Sequence, residues 1–244
     1  MKIQIAKNRS LQDMVRHIPF QQVADAVTKA CLEAATHLPK DVLDGIKKAM
    51  DNETNELGRD FLAQYLKNAK IAEETGLPLC QDTGFAVFFV EMGSMVVIDG
   101  GTVSEAITAG TERGYELGFL RKSIVDDPVF KRVNTRTNTP PIIHLTQVPG
   151  DRLSVILAPK GGGSENMSSL KMLTPASGRQ GVIDFVVESV IKAGGNPCPP
   201  TVVGVGIGGT FEKAAFLAKK ALIRPMGEAS PDPEYAEMER EILA

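Results

Sequence analysis

The chain changes its hydrophobic texture once. Up to about residue 76 apolar positions recur at spacings of three and four, the period of a helix with one buried face. Helices are predicted near Phe20 to His37, Lys40 to Met50 and Glu56 to Glu74. The first carries the stripe Phe20, Val23, Val27, Cys31 and Ala34, and the third the stripe Leu57, Phe61, Leu62, Tyr65, Leu66 and Ala69. Gly76 and Pro78 then give a stop signal, a residue able to take a left-handed cap followed by one that cannot continue a helix. From Phe85 the pattern turns to strand. Phe85 to Val90 is a short apolar run, and Met95 to Ile98 a second that ends at Asp99-Gly100-Gly101. A helix is predicted from Thr102 to Leu117. Ile142 to Val148 and Arg152 to Ala158 flank Pro149-Gly150-Asp151 and read as a hairpin. A helix near Arg179 to Ala193, a strand over Thr201 to Val205 and a helix over Thr210 to Ile223 follow. Pro233 to Ala244 has strong helix formers and reads as a helix that stops without a cap.

This order predicts an α/β chain of the mixed α+β kind. A mixed central sheet is flanked by helices, with a helical N-terminal lobe over residues 1–76 and a sheet-and-helix region over 77–244, the two forming one continuous fold. Composition changes little in that picture. At 244 residues the chain can bury a substantial core, and 43% hydrophobic residues with a net charge of −3 are ordinary for a globular enzyme or subunit. No basic excess points to nucleic acid or to a membrane surface, and aromatic residues at 5% with no Trp argue against base-stacking platforms. Met1 to Lys7 lacks a continuous apolar run and no later segment is long enough to span a bilayer, so a cytoplasmic location is expected.

The candidate chemistry lies in loops. Cys80, in Leu77-Pro78-Leu79-Cys80-Gln81-Asp82-Thr83-Gly84, and Cys198, in Gly194-Gly195-Asn196-Pro197-Cys198-Pro199-Pro200, each stand where a helix gives way to a predicted strand. Prolines and glycines fix the backbone at both, which presents a thiol instead of packing it; two ordinary loop cysteines are the alternative. Cys31 falls on the buried stripe and reads as core. Three cysteines without a secretory leader point to a reducing compartment and not to a disulfide framework.

Two glycine-rich stretches compete as ligand cradles. Lys160-Gly161-Gly162-Gly163-Ser164-Glu165-Asn166 offers backbone N–H groups beside a cation, or is a flexible loop. Gly204-Val205-Gly206-Ile207-Gly208-Gly209-Thr210 contains a formal G-x-G-x-x-G. A dinucleotide unit needs a second parallel strand after the helix, and Arg224-Pro225-Met226-Gly227 supplies none, so close packing or a helix N-terminus aimed at a carboxylate explains those glycines better. His17, His37 and His144 have no zinc-ligand spacing, although His144 could approach Cys80 in space.

Taken in order, Leu79-Cys80-Gln81-Asp82-Thr83-Gly84, Val125-Asp126-Asp127-Pro128, Asn138-Thr139-Pro140, the Lys160 to Asn166 loop, Asn196-Pro197-Cys198-Pro199-Pro200 and Gly204 to Thr210 resemble the alpha subunit, or N-terminal domain, of class I iron–sulfur fumarate hydratases. The tartrate dehydratase alpha subunit is similar, and the Gly-Gly-Gly-Ser-Glu-Asn form of the loop looks more like fumarase. The resemblance runs from about residue 10 to the end. It implies a [4Fe–4S] cluster held by three cysteines, with Cys80 and Cys198 as two ligands and an open iron acting as a Lewis acid. It also implies that Asp82 does acid/base work, that Gln81 and Arg121 bind substrate carboxylate, and that Gly162 offers backbone contact to the ligand. An Asx turn at Asp82 and a solvated helix-end cation at Arg121 are the plainer readings of those two residues.

In the family the third ligand cysteine follows a further glycine-rich segment, so it is expected beyond Ala244. The chain is read as truncated before it and inactive alone. The resemblance further implies a beta subunit, homodimerising alpha chains in an assembly of two alpha and two beta chains, and a small dicarboxylate substrate. Fumarate and (S)-malate lead, tartrate or mesaconate are the alternatives, and a non-catalytic iron–sulfur or anion-binding protein is the reading from another class.

Overall fold

The computed structural model describes residues 15–244, so the reading of Met1 to Lys7 lies outside the described residues. In chain order the elements are β1 (Arg16–Pro19), α1 (Phe20–Thr36), α2 (Lys40–Asn52), α3 (Glu56–Thr75), β2 (Phe85–Gly93), β3 (Val96–Asp99), α4 (Val103–Leu117), β4 (Ile142–Val148), β5 (Leu153–Lys160), the short turn α5 (Gly162–Glu165), α6 (Gly178–Ala193), α7 (Phe211–Ala221) and α8 (Pro233–Leu243). The chain is a mixed α/β protein, as its pattern predicts. It divides into two compact units, one of residues up to Thr36 with Gly76–Lys160, the other of His37–Thr75 with Gly161–Ala244.

The first unit is built on two helices and two small sheets. Helix α1 buries Val23, Val27 and Cys31, the stripe read from its spacing. Helix α4 starts on a capping box: the Thr102 hydroxyl accepts from the Glu105 backbone N–H at 3.2 Å, and the Glu105 carboxylate accepts from the Thr102 N–H at 2.8 Å. These bonds to the charged form hold the Glu105 carboxyl below its ordinary pKa. The helices lie close because glycines face α1. A Cβ on Gly110 would stand 2.5 Å from the Ala24 carbonyl oxygen, and one on Gly114 2.6 Å from the Cys31 Cβ. The Thr28 hydroxyl crosses the same seam to the Gly110 carbonyl at 3.0 Å.

Strand β2 is central. It pairs in parallel with β4 and antiparallel with β5, while β1 and β3 form a separate parallel pair. Phe88 and Val90 face the helix core with Ile107, Val103 and Leu120, and Val87 and Phe89 on the opposite face are buried as well. Burial on both faces explains why β2 reads as an unbroken apolar run instead of an alternating one.

Two expectations are corrected here. The stretches flanking Pro149-Gly150-Asp151 do not pair with each other as a hairpin, because β2 lies between them. The connection crosses the end of β2, where the Gly93 N–H donates to the Arg152 carbonyl at 2.7 Å and the Met95 N–H to the Gly150 carbonyl at 2.9 Å. A Cβ at Gly93 would meet that Gly150 oxygen at 2.3 Å, so only glycine permits the crossing. Thr201 to Val205 joins no ladder. It runs along α7 instead, where a Cβ on Gly204 would stand 2.2 Å from the Ala218 carbonyl oxygen and one on Gly206 2.1 Å from that of Ala214.

The second unit is helical. Helix α3 buries Leu62, Ala69 and Ala72, α6 buries Ile183 and Val186, and α8 contributes Met238. Arg179 of α6 and Glu241 of α8 pair at 2.6 Å, and the Asp41 carboxylate at the start of α2 accepts from the Met226 N–H at 2.7 Å. Among the described residues no helix is long and apolar enough to cross a membrane.

Candidate active site

Each unit presents one of the two loop cysteines. In the first, the chain leaves α3, passes Gly76 with its left-handed φ of 70°, and reaches the loop 77–84, which the Leu79 N–H ties to the Ala35 carbonyl at the end of α1 at 2.8 Å. Cys80 is exposed. Its sulfur accepts the Asp82 backbone N–H at 3.4 Å, and its S–H donates to the Gln81 side-chain oxygen at 3.4 Å. The first contact survives ionisation of the thiol; the second then requires the Gln81 amide to turn its NH2 toward sulfur. An exposed sulfur already receiving a backbone N–H suits a metal-ligating thiolate.

Asp82 is half-buried. Its Oδ1 accepts from the Gly84 N–H at 3.1 Å, which is the Asx turn kept open as the plainer reading. One carboxylate oxygen so engaged fixes the orientation of the group, and a carboxylate has two oxygens to work with.

Arg121 lies four residues past the end of α4 and is exposed. The turn at the end of that helix puts Phe119 in the left-handed region at φ 51° and buries Leu120 in the core. The backbone N–H of Arg121 donates to the Thr83 hydroxyl at 2.9 Å. The sequence-predicted residues Cys80, Gln81, Asp82 and Arg121 are therefore brought together in one unit, with Thr83 as the link.

In the second unit the glycine loop and the Cys198 loop are neighbours. Gly161 caps α5, Gly162 is its first residue, and a Cβ on Gly163 would stand 3.4 Å from the Asn196 carbonyl oxygen. Glu165 at the end of α5 pairs with Lys219 of α7, which moors the loop to a helix. Cys198 is exposed, with a left-handed φ of 60°. Its backbone N–H donates to the Gly195 carbonyl at 3.2 Å, and the Tyr65 hydroxyl on α3 donates to the neighbouring Pro199 carbonyl at 3.0 Å. Both loop cysteines thus have the exposure and the held backbone that a metal ligand needs. Cys31 does not: it is 2% exposed, and burial pushes its thiol up to about 12, so it stays protonated and inert.

His144 is engaged with Phe89, their rings stacked at 5.2 Å, and His17 pairs with Asp99 at 2.8 Å. Among the described residues no three His, Cys, Asp or Glu side chains form a metal-holding group. The G-x-G-x-x-G glycines at 204 and 206 are consumed in contact with α7, which accounts for them without a dinucleotide.

Sequence reasoning gave no individual role to Tyr115 or Asn138. Both are buried, and both reach the loop that carries Cys80. The only sequence signal was the place of Asn138 in the motif Asn138-Thr139-Pro140 and its left-handed φ of 56°, which asparagine tolerates, could not be read from sequence.

Comparison with known proteins agrees with the motif order. The model of the fumarate hydratase (Fumerase) family matches residues 24–244. A Methanocaldococcus jannaschii protein named by assignment as an L(+)-tartrate dehydratase subunit alpha is 41% identical over 227 residues, covering 91% of this chain and 79% of its own length. L(+)-tartrate dehydratase alpha subunits of Escherichia coli and Shigella boydii are 35% and 34% identical over 209 residues, each covering 84% of this chain and 68% of the relative. With the family match spanning nearly all of the described residues and relatives of this similarity, the chain belongs to the fumarate hydratase (Fumerase) family of hydro-lyases.

Proposed function

We propose that this chain is the alpha subunit of an iron–sulfur hydro-lyase that reversibly hydrates fumarate to (S)-malate. The observation that carries the reading is the loop 80–84: an exposed thiol, an amide and an oriented carboxylate on three consecutive residues, joined through Thr83 to the backbone of an exposed arginine. Cys80 and Cys198 are two ligands of a [4Fe–4S] cluster, and the third thiolate comes from outside these 244 residues, since Cys31 is core. When bound, the cluster supplies a Lewis acid for the hydroxyl that leaves or enters. The protein groups do the rest. Arg121 takes a substrate carboxylate through its planar guanidinium, Gln81 donates its amide to a carboxylate oxygen, and the backbone N–H groups at Gly162 add uncharged donors. Asp82 moves the proton at the carbon next to the hydroxyl-bearing one, its carboxylate already oriented by the Gly84 N–H. A beta subunit completes the enzyme, a reading supported by the names of the relatives, which are alpha subunits.

The same names favour a second reading, in which the diacid is tartrate. The chain is to be expressed with its beta partner, the cluster restored anaerobically, and fumarate hydration run beside tartrate and mesaconate turnover. Fumarate should lead by at least about 10-fold, the scale on which one hydroxyl or methyl group is discriminated. A lead for tartrate transfers the assignment to the second reading. Turnover of none of them by the loaded complex refutes the hydro-lyase reading of this site.

A further inference from the structure

The Cys80 loop and the Arg121 segment are far apart in sequence and are fastened to each other by neutral side chains that have no part in the chemistry assigned above. Asn138 is the central one. It is fully buried with a left-handed φ of 56°. Its Oδ1 accepts the backbone N–H groups of Ser123 at 2.8 Å and Ile124 at 3.2 Å, and its Nδ2 donates to the Gly84 carbonyl at 3.1 Å. The orientation of the amide is dictated, because the flipped group would set NH2 against two N–H donors and a carbonyl oxygen against another. The Tyr115 hydroxyl, from α4, donates to the same Gly84 carbonyl at 2.9 Å and approaches that of Thr83 at 3.4 Å. Thr83 then accepts the Arg121 N–H at 2.9 Å.

The chain is continuous across the site. The Gly84 N–H orients Asp82, and the carbonyl of the same residue, on the next peptide of the chain, is pinned by Asn138 and Tyr115, so the residue that supplies the orienting N–H is held at its other end. Ser123 and Ile124, held by the other end of the Asn138 amide, stand two and three residues beyond Arg121. Burial keeps the Tyr115 phenol well above its ordinary pKa, so the hydroxyl remains a donor over any working pH.

We infer that Asn138, with Tyr115 and Thr83, is a positioning residue of this hydro-lyase site: its amide locks the residue whose N–H orients Asp82 and the segment that carries Arg121 into one frame. The inference rests on the assignment of those two residues under the proposed function. Asparagine alone among the standard side chains combines a tolerated left-handed backbone with a donor and an acceptor on one short amide. Aspartate keeps the shape and the Oδ1 contacts but turns an acceptor on the Gly84 carbonyl, and leucine loses all three bonds.

The test uses Asn138→Asp and the milder Thr83→Val, with Thr83→Ser as the conservative control. In the 244-residue chain, amide hydrogen exchange at Arg121, Ser123 and Ile124 and the alkylation rate of Cys80 are measured by mass spectrometry. In the loaded complex with its partner, KM and kcat for the diacid are measured. Thr83→Val should raise exchange at Arg121 and lift KM roughly 5- to 10-fold, the equivalent of one hydrogen bond, with Thr83→Ser within about 2-fold of the parent. Asn138→Asp should speed alkylation at Cys80 by roughly 10-fold or more through loss of the bond to the Gly84 carbonyl, while exchange at Ser123 and Ile124, whose bonds to Oδ1 it keeps, and at the α1 amides stays near the parent. Local exchange that rises in the variants while the loaded parent complex turns over no diacid supports the positioning network and refutes the proposed function. Exchange that rises equally in α1 and α4, no rise at Arg121 in Thr83→Val, or Cys80 alkylation unchanged in Asn138→Asp overturns the inference, as does a KM unmoved by Thr83→Val.

Discussion

Gly114→Ala places a methyl group where α4 meets α1. That carbon would stand 2.6 Å from the Cys31 Cβ, 3.2 Å from its sulfur and 3.3 Å from the Thr28 carbonyl oxygen. Carbon atoms in contact prefer about 3.5–4.0 Å, so the helices must part by about 1 Å or the backbone must bend. Parting them by that much stretches the Thr28 hydroxyl bond to the Gly110 carbonyl, now 3.0 Å, to about 4 Å, beyond hydrogen-bonding range. Overpacking costs about 1–3 kcal/mol and the lost bond about 1 kcal/mol, against a gain of about 1 kcal/mol from replacing glycine inside a helix. The net expectation is destabilisation by about 1–3 kcal/mol, read from urea unfolding followed by far-UV circular dichroism. Cys31→Gly removes the carbon that the new methyl strikes. The double variant should therefore be less destabilised than the sum of the singles by about 1–2 kcal/mol. A stabilising Gly114→Ala, or strict additivity of the pair, would refute the claim that the seam is closed by steric contact at these two residues.

Three further outcomes follow from burial and close approach. Native protein treated with iodoacetamide near pH 8 should be modified at Cys80 and Cys198 and spared at Cys31, the only buried thiol. Because burial raises the Cys31 thiol from an ordinary 9.0 to about 12, its share of stability is intact below pH 9; above that the unfolded chain ionises first, and unfolding free energy falls by up to about 1.4 kcal/mol per pH unit toward pH 12, a slope that Cys31→Ala should lessen and Tyr115 should leave in part. Gly206→Ala sets a carbon 2.1 Å from the Ala214 carbonyl oxygen, a backbone atom that cannot turn aside, and should cost at least about 2 kcal/mol in thermal or urea unfolding; a neutral result would reopen a ligand-binding role for those glycines.

What the sequence made legible is what repeats locally. The stripe through Val23, Val27 and Cys31 specified the buried face of α1, and Thr102 with Glu105 three residues later specified the start of α4, because both signals act within one or two turns. Turn chemistry at Pro149-Gly150-Asp151 correctly marks a chain reversal, but nothing local says whether a third strand enters between the two arms. β2 does so because it is apolar on both faces and gains from neighbours on both edges, and Gly93 clears the path for the connection. Thr201 to Val205 fails as a strand for a related reason. Its residues favour β structure, but Gly204 and Gly206 let it lie against α7 more closely than a strand with side chains could, and tertiary contact overrides propensity.

The candidate site divides along the same line. Cys80, Gln81 and Asp82 adjoin in sequence, and the roles proposed for them rest on three letters in a row. The groups that hold them are 31 and 54 residues from Gly84, on α4 and in the Asn138 turn, and neither has a reactive side chain to draw attention. A tyrosine inside an apolar helix reads as core, and Tyr115 is indeed core along its ring; only its hydroxyl, placed on a backbone carbonyl of the reactive loop, gives it a second task. Asn138 stands in a motif whose residue types offer a hydration reaction no acid, base or metal ligand. The geometry supplies a physical reason for an amide there, since one end must accept two N–H groups and the other must donate to a carbonyl, at a left-handed backbone position. Motifs in such a chain therefore carry two kinds of constraint, one set by the reaction and one by the frame that holds the reacting groups, and only the distances between residues remote in sequence separate them.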